Sequence, residues 1–113
     1  MVKENIKDNI IKLLIDKKAE SISEIDLSSD SSKLSDTCII ASGTSSKHIE
    51  SVAESVYRYL KTEKFAPKVE GSGQSGWVLI ESLGIEIHFF KPKLREYYDL
   101  ESLYSSAVSS SVF

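Results

Sequence analysis

The chain has 113 residues, 41% of them hydrophobic, enough for one core and one domain but not for several. A net charge of −3, with 12 Lys and 2 Arg set among 17 acids, argues against bare RNA or DNA as the main partner and suits a basic protein better. A single cysteine, Cys38, excludes an intramolecular disulfide and a Cys-cluster metal site, and fits a reducing compartment.

At the N-terminus, Ile6, Ile10, Leu13 and Leu14 recur at helical spacing and predict an amphipathic helix over residues 3–18. Glu4, Asp8 and Asp16 interrupt that stretch, which fits neither a secretory signal nor a transit peptide, and no apolar run has the length of a membrane span. The expectation is a soluble cytoplasmic protein. Ile22, Ile25 and Leu27 alternate with polar residues as in a half-buried strand, and residues 28–35 read as a polar loop.

Cys38-Ile39-Ile40-Ala41 is a short apolar run, predicted to be a central strand within residues 37–42. Gly43 breaks it. Thr44, Ser45 and Ser46 each offer a cap to the helix whose stripe is Ile49, Val52, Ala53, Val56, Tyr57 and Leu60. A strand leading into a helix start also suits an anion, although hydroxyl capping alone explains the same residues.

Residues 68–70 and 77–80 read as strands joined by the loop Gly71-Ser72-Gly73-Gln74-Ser75-Gly76. That loop precedes a strand rather than a helix and lacks the Gly-Lys-Ser/Thr of a phosphate loop, so the expectation is a hairpin. Gly84 allows a turn, and Ile85, Ile87 and Phe89 alternate with Glu86, His88 and Phe90 in a last strand that Pro92 ends. Asp99 is predicted to cap a final helix containing Leu100, Leu103, Tyr104 and Ala107. Residues 1–104 form the expected domain, and 105–113 a Ser-rich, fraying tail. The predicted order is α-β-β-α-β-β-β-α, an α/β domain with a mixed five-stranded sheet flanked by helices.

Few residues invite catalysis. His88 and Glu86 share a strand face without an evident nucleophile, so His88 reads as a strand histidine facing solvent or a partner. Neither His48 nor His88 has metal-ligand spacing. Trp77 is equally a candidate core residue and a candidate interface anchor, and of Tyr97 and Tyr98 at least one is expected outside.

Four stretches resemble one family, the ribosomal silencing factors or Iojap family. They are Lys17-Lys18-Ala19-Glu20 with Ile25-Asp26-Leu27; residues 36–48 from Asp36 to His48; Val69-Glu70-Gly71 with Gly76-Trp77-Val78-Leu79; and Ile87-His88-Phe89-Phe90 with residues 95–104 from Arg95 to Tyr104. In order and at family spacing they span residues 17–104.

The resemblance implies a sheet related to the nucleotidyltransferase fold. It further implies binding to large-subunit protein uL14 at the intersubunit face, blocked joining of the small and large ribosomal subunits, repressed translation under nutrient limitation, and self-association into homodimers. The expected partner-binding residues are Glu70, Trp77, Glu81, His88, Tyr98 and Asp99, with Glu70, Trp77 and Tyr98 on one surface. No catalytic residue, metal, cofactor, membrane contact or sequence-specific nucleic-acid contact is expected.

The chain departs from the family pattern at Glu81-Ser82-Leu83-Gly84-Ile85, where an Asp-x-Gly-Asp turn is common, and at Tyr104, where a Trp is frequent. The enzymatic alternative, nucleotidyl transfer, needs a Gly-Ser followed by an Asp-x-Asp strand to hold metal ions. Here Trp77-Val78-Leu79 follows instead, so the fold is expected without the chemistry.

Overall fold

The N-terminal stripe becomes helix α1, Val2–Asp16, which buries Ile6, Ile10 and Leu14. The longer stripe becomes α2, Ser46–Thr62, which buries Ile49, Val52, Ala53, Val56 and Leu60. Ser45 caps α2, its hydroxyl accepting from the His48 N–H at 3.1 Å. The structure is a computed structural model that describes residues 2–28, 35–103 and 108–111.

Both helices lie on one face of a sheet whose strands are β1 Glu20–Asp26, β2 Thr37–Ser42, β3 Lys68–Ser72, β4 Trp77–Ser82 and β5 Ile85–Phe90. Strand β2 is central, as its apolar run predicts, with residues 38–42 all buried. It pairs parallel to β5 and antiparallel to β1. Strands β3, β4 and β5 form an antiparallel meander, which contains the expected hairpin.

Two parts of the expected order are corrected. The segment after Pro92 is a helix that the expected order lacks, α3 Pro92–Tyr98, with proline in its first turn, where a missing N–H costs nothing. Asp99 therefore closes α3 in a left-handed conformation, φ 47°, and the short helix α4, Leu100–Leu103, follows it. Residues 108–111 of the tail, expected to fray, form strand β6, Val108–Ser111, antiparallel to β1. The sheet order is β3-β4-β5-β2-β1-β6, a sixth strand added to the five expected. Most of the polar loop after residue 28, together with Tyr104 and Ala107, lies outside the described residues.

The two sheet faces are covered unequally. Between the sheet and α1/α2 sits the main core, which includes Ile22, Ile39, Ala41, Val78, Ile80, Ile87 and Phe89. Each fully buried Ile, Val or Phe side chain there contributes about 1.5–3 kcal/mol. The other face carries a smaller cluster, Ile25, Leu27, Cys38, Ile40, Phe90 and Leu100, with Leu94 and Trp77 half-buried at its margin.

Arg95 fastens α3 over this second cluster. Its Nη1 donates to the Ser21 carbonyl at 2.6 Å and to Ser42 Oγ at 2.8 Å. Its Nη2 donates to Ser23 Oγ at 3.2 Å and to Glu101 at 2.8 Å. The helix thus covers β1, β2 and part of β5, and leaves the β3–β4 side of the same face open.

Candidate functional site

Strand register builds the open surface. Glu70 stands opposite Leu79, and Leu79 opposite His88; Ser72 stands opposite Trp77, and Trp77 opposite Phe90; Lys68 stands opposite Glu81, and Glu81 opposite Glu86. Side chains alternate along a strand, so these residues share one face while Val78 and Ile80 enter the helix-covered core. The hairpin between β3 and β4 needs Gly71: its φ is +84°, and a Cβ there would lie 2.2 Å from the Trp77 carbonyl oxygen.

Trp77 is the centre of an aromatic group. Its ring stacks on Phe90 at 4.9 Å and meets Tyr98 from α3 at 4.6 Å. Tyr97, 79% exposed, abuts Tyr98 edge-on at 5.1 Å. Both tyrosines are thus exposed, but only Tyr98 joins Trp77. An open cleft of about 310 Å³ lies here, lined by Glu70, Gly71, Ser75, Trp77, Leu79 and Tyr98.

His88 lies beneath the surface rather than on it, only 4% exposed, which corrects the expectation that it faces solvent or a partner. Trp77 Nε1–H donates to His88 Nδ1 at 3.0 Å, and His88 Nε2 lies 3.1 Å from Glu86 Oε1. An indole nitrogen can only donate. Nδ1 is therefore unprotonated, and the neutral ring carries its proton on Nε2, where it donates to Glu86.

Cys38, Glu86 and His88 bring three ligand atoms within 4.8 Å of one another. This trio does not fit a metal ion. A cation on Nε2 would drive the ring proton to Nδ1, where the Trp77 N–H already points. Burial also pushes the Cys38 thiol well above its ordinary range, with the carboxylates of Glu86 and Glu101 adding to the effect.

Of the expected binding residues, Glu70, Trp77, Glu81 and His88 share the open face, and Tyr98 reaches it from α3. Asp99 does not join them: it bonds Ser102 Oγ at 2.6 Å and lines a separate cleft with Ser42, Arg95 and Glu101. Glu86 lies on the same face as His88, as the strand alternation predicts, and Leu79 joins the surface although it is not among the expected binding residues; the period-2 alternation around Trp77 is the signal that reveals it. A larger cleft, about 620 Å³, lies on the helix side between α2 and β3 and contains none of the expected residues.

The helix start at Thr44-Ser45-Ser46 is already occupied. Thr44 N–H donates to His48 Nδ1 at 3.0 Å, and the Ser45 hydroxyl accepts from the His48 N–H. These amides have internal partners, so capping accounts for the motif.

A family model described as "Ribosomal silencing factor during starvation" matches residues 2–112. A ribosomal silencing factor of Zymomonas mobilis is 35% identical over 92 residues, covering 80% of this chain and 68% of its own. Another from Chromobacterium violaceum is 35% identical over 96 residues, covering 83% and 77%. A crystal structure of a Chromobacterium violaceum protein superposes with a TM-score of 0.83 at 31% identity, covering 97% of this chain and 92% of its own. The chain belongs to the ribosomal silencing factor family, ribosome-associated regulators of translation.

Proposed function

We propose that this protein binds large-subunit protein uL14 through the Trp77 surface and thereby blocks joining of the small ribosomal subunit, repressing translation in the cytoplasm when nutrients are scarce. The observation that carries the reading is Trp77 itself: half-buried, ring-stacked, and set beside an open cleft on the sheet face that α1 and α2 leave uncovered. A fixed aromatic next to a cleft is the usual form of an interface anchor, because little side-chain freedom is lost when it is covered.

Glu70, Glu81 and Glu86 on the same face give it the sign that complements a basic ribosomal protein. Binding there needs no bond to be made or broken, so the reading is regulatory and not enzymatic. Of the foreseen residues, Glu70, Trp77, Glu81 and Tyr98 make the contact, and His88 supports it from below. The chain also self-associates into dimers, which sedimentation of the isolated chain measures.

The test is capture of isolated uL14 without ribosomal RNA, across a salt series. Direct capture that weakens with salt is expected, since opposite charges chiefly speed encounter and are screened beyond about 8 Å at physiological ionic strength. Capture only in the presence of ribosomal RNA would contradict it.

A further inference from the structure

We infer that His88 is a positioning residue: a neutral imidazole, set in one tautomer by Glu86, that locks the Trp77 indole into the orientation in which the open face is recognised. This rests on the binding role proposed for Trp77 and assigns that role a support it otherwise lacks.

The geometry allows one arrangement of protons. Trp77 Nε1–H lies 3.0 Å from His88 Nδ1, which must accept, and Nε2–H lies 3.1 Å from Glu86 Oε1, which accepts in turn. Indole to imidazole to carboxylate is therefore a directed chain with its donor at the surface and its final acceptor on the neighbouring row of the sheet. His88 also stacks on Phe90 with an interplanar angle of 7°, so its ring cannot swing without disturbing the ring under Trp77. At 4% exposure His88 offers a partner almost nothing directly. Whatever it contributes to recognition passes through the indole, whose ring would otherwise be held on this face by stacking alone. An anchor held in place before binding loses less freedom when the partner covers it.

The two amide replacements separate this role from simple space filling. His88→Asn places an amide oxygen near the former Nδ1 and can still accept from Trp77. His88→Gln places its amide near the former Nε2, keeps the partner for Glu86, and leaves the indole N–H without an acceptor. The chain has a single tryptophan, so its indole N–H resonance and its fluorescence anisotropy report on this residue alone.

The experiment compares the wild-type, Asn and Gln chains for folding by circular dichroism, for the indole resonance, and for binding to isolated uL14. His88→Asn is expected to keep a hydrogen-bonded, slowly exchanging indole N–H and bind within about twofold of wild type. His88→Gln is expected to fold, lose that protection and bind about tenfold more weakly. In the wild-type chain, nitrogen NMR of the imidazole must place the proton on Nε2, which requires no variant to fold. A proton on Nδ1, a protected indole in the Gln variant, or lost binding in the Asn variant with its indole still protected would overturn the assignment. Absence of uL14 binding by the wild-type chain would instead refute the proposed partner, while the resonance and tautomer measurements still decide the lock.

Discussion

His48, on the first turn of α2, donates from Nε2 to the carbonyl oxygen of Lys17 at 2.8 Å and so ties the end of α1 to the start of α2. The same ring accepts at Nδ1 from the Thr44 N–H, so its two contacts fix its tautomer, as Glu86 and the Trp77 N–H together fix that of His88. One imidazole thus satisfies a helix-start amide and a chain-turn carbonyl together. His48→Ala should lower unfolding free energy by about 1–2 kcal/mol, because two backbone groups lose their partner at once. Urea denaturation measures this; an unchanged midpoint would show that water replaces the ring without cost.

Arg95 should be harder to replace than any surface charge. Its guanidinium serves two serine hydroxyls, a carbonyl and a carboxylate, and its side chain is only 12% exposed. A lysine has the charge but not the planar fork. Arg95→Lys is therefore expected to lose about 2 kcal/mol of stability and to loosen α3, freeing Tyr98 from Trp77. Thermal unfolding gives the first effect and tryptophan emission the second. A variant of wild-type stability and unaltered emission would mean that Leu94 and Leu100 alone hold the helix.

Much of this architecture is legible in the sequence, for identifiable reasons. The stripe Ile49–Leu60 is long enough that its period has one reading, and the run Cys38–Ala41 is read as a strand from its shortness and its two β-branched isoleucines. α3 is not legible in the same way, because Pro92-Lys93-Leu94-Arg95-Glu96-Tyr97-Tyr98 buries no residue fully and shows no stripe. β6 is hidden likewise: its sequence is nearly all serine, with no strand pattern, and it pairs antiparallel with β1. Within the site, alternation puts Glu70 and Trp77 on one face, but the depth of His88 depends on α3 closing over its neighbours, a tertiary fact no local pattern carries.

The turn between β4 and β5 offers a gain in stability. Leu83 and Gly84 both have positive φ, 53° and 76°, as a two-residue hairpin turn of the favoured hand requires. Leucine is poorly suited to that conformation, and its side chain is 45% exposed, so little packing would be lost. Leu83→Asn should raise stability by about 0.5–1 kcal/mol. A fall in the thermal midpoint would show that Leu83 makes a contact worth more than its strain.

Cys38 should report global unfolding. Its buried thiol ionises well above the ordinary range, and thiolate is the reactive form. Alkylation of the folded chain should therefore be very slow and should follow the opening of the whole sheet. The linkage runs the same way. The folded thiol holds its proton at pH values where the unfolded thiol has lost it, so stability from this group is complete below about pH 8.5 and declines as pH rises. Fast alkylation under native conditions would place Cys38 in a region that opens locally.

On the proposed mode of action, this small domain inhibits subunit joining by occupying space on the large subunit. A typical interface buries about 800 Å² per partner, which leaves most of a domain this size projecting from the surface it binds. The most direct measurement is a sucrose gradient of purified ribosomal subunits at fixed magnesium, with the protein added before or after the subunits are mixed. Added first, the wild-type chain should shift the population toward separated subunits; added to joined ribosomes, it should act poorly. Trp77→Ala, if folded, should lose about 2 kcal/mol of binding and with it most of the effect. An unchanged proportion of joined ribosomes when the wild-type protein is added first would contradict the account.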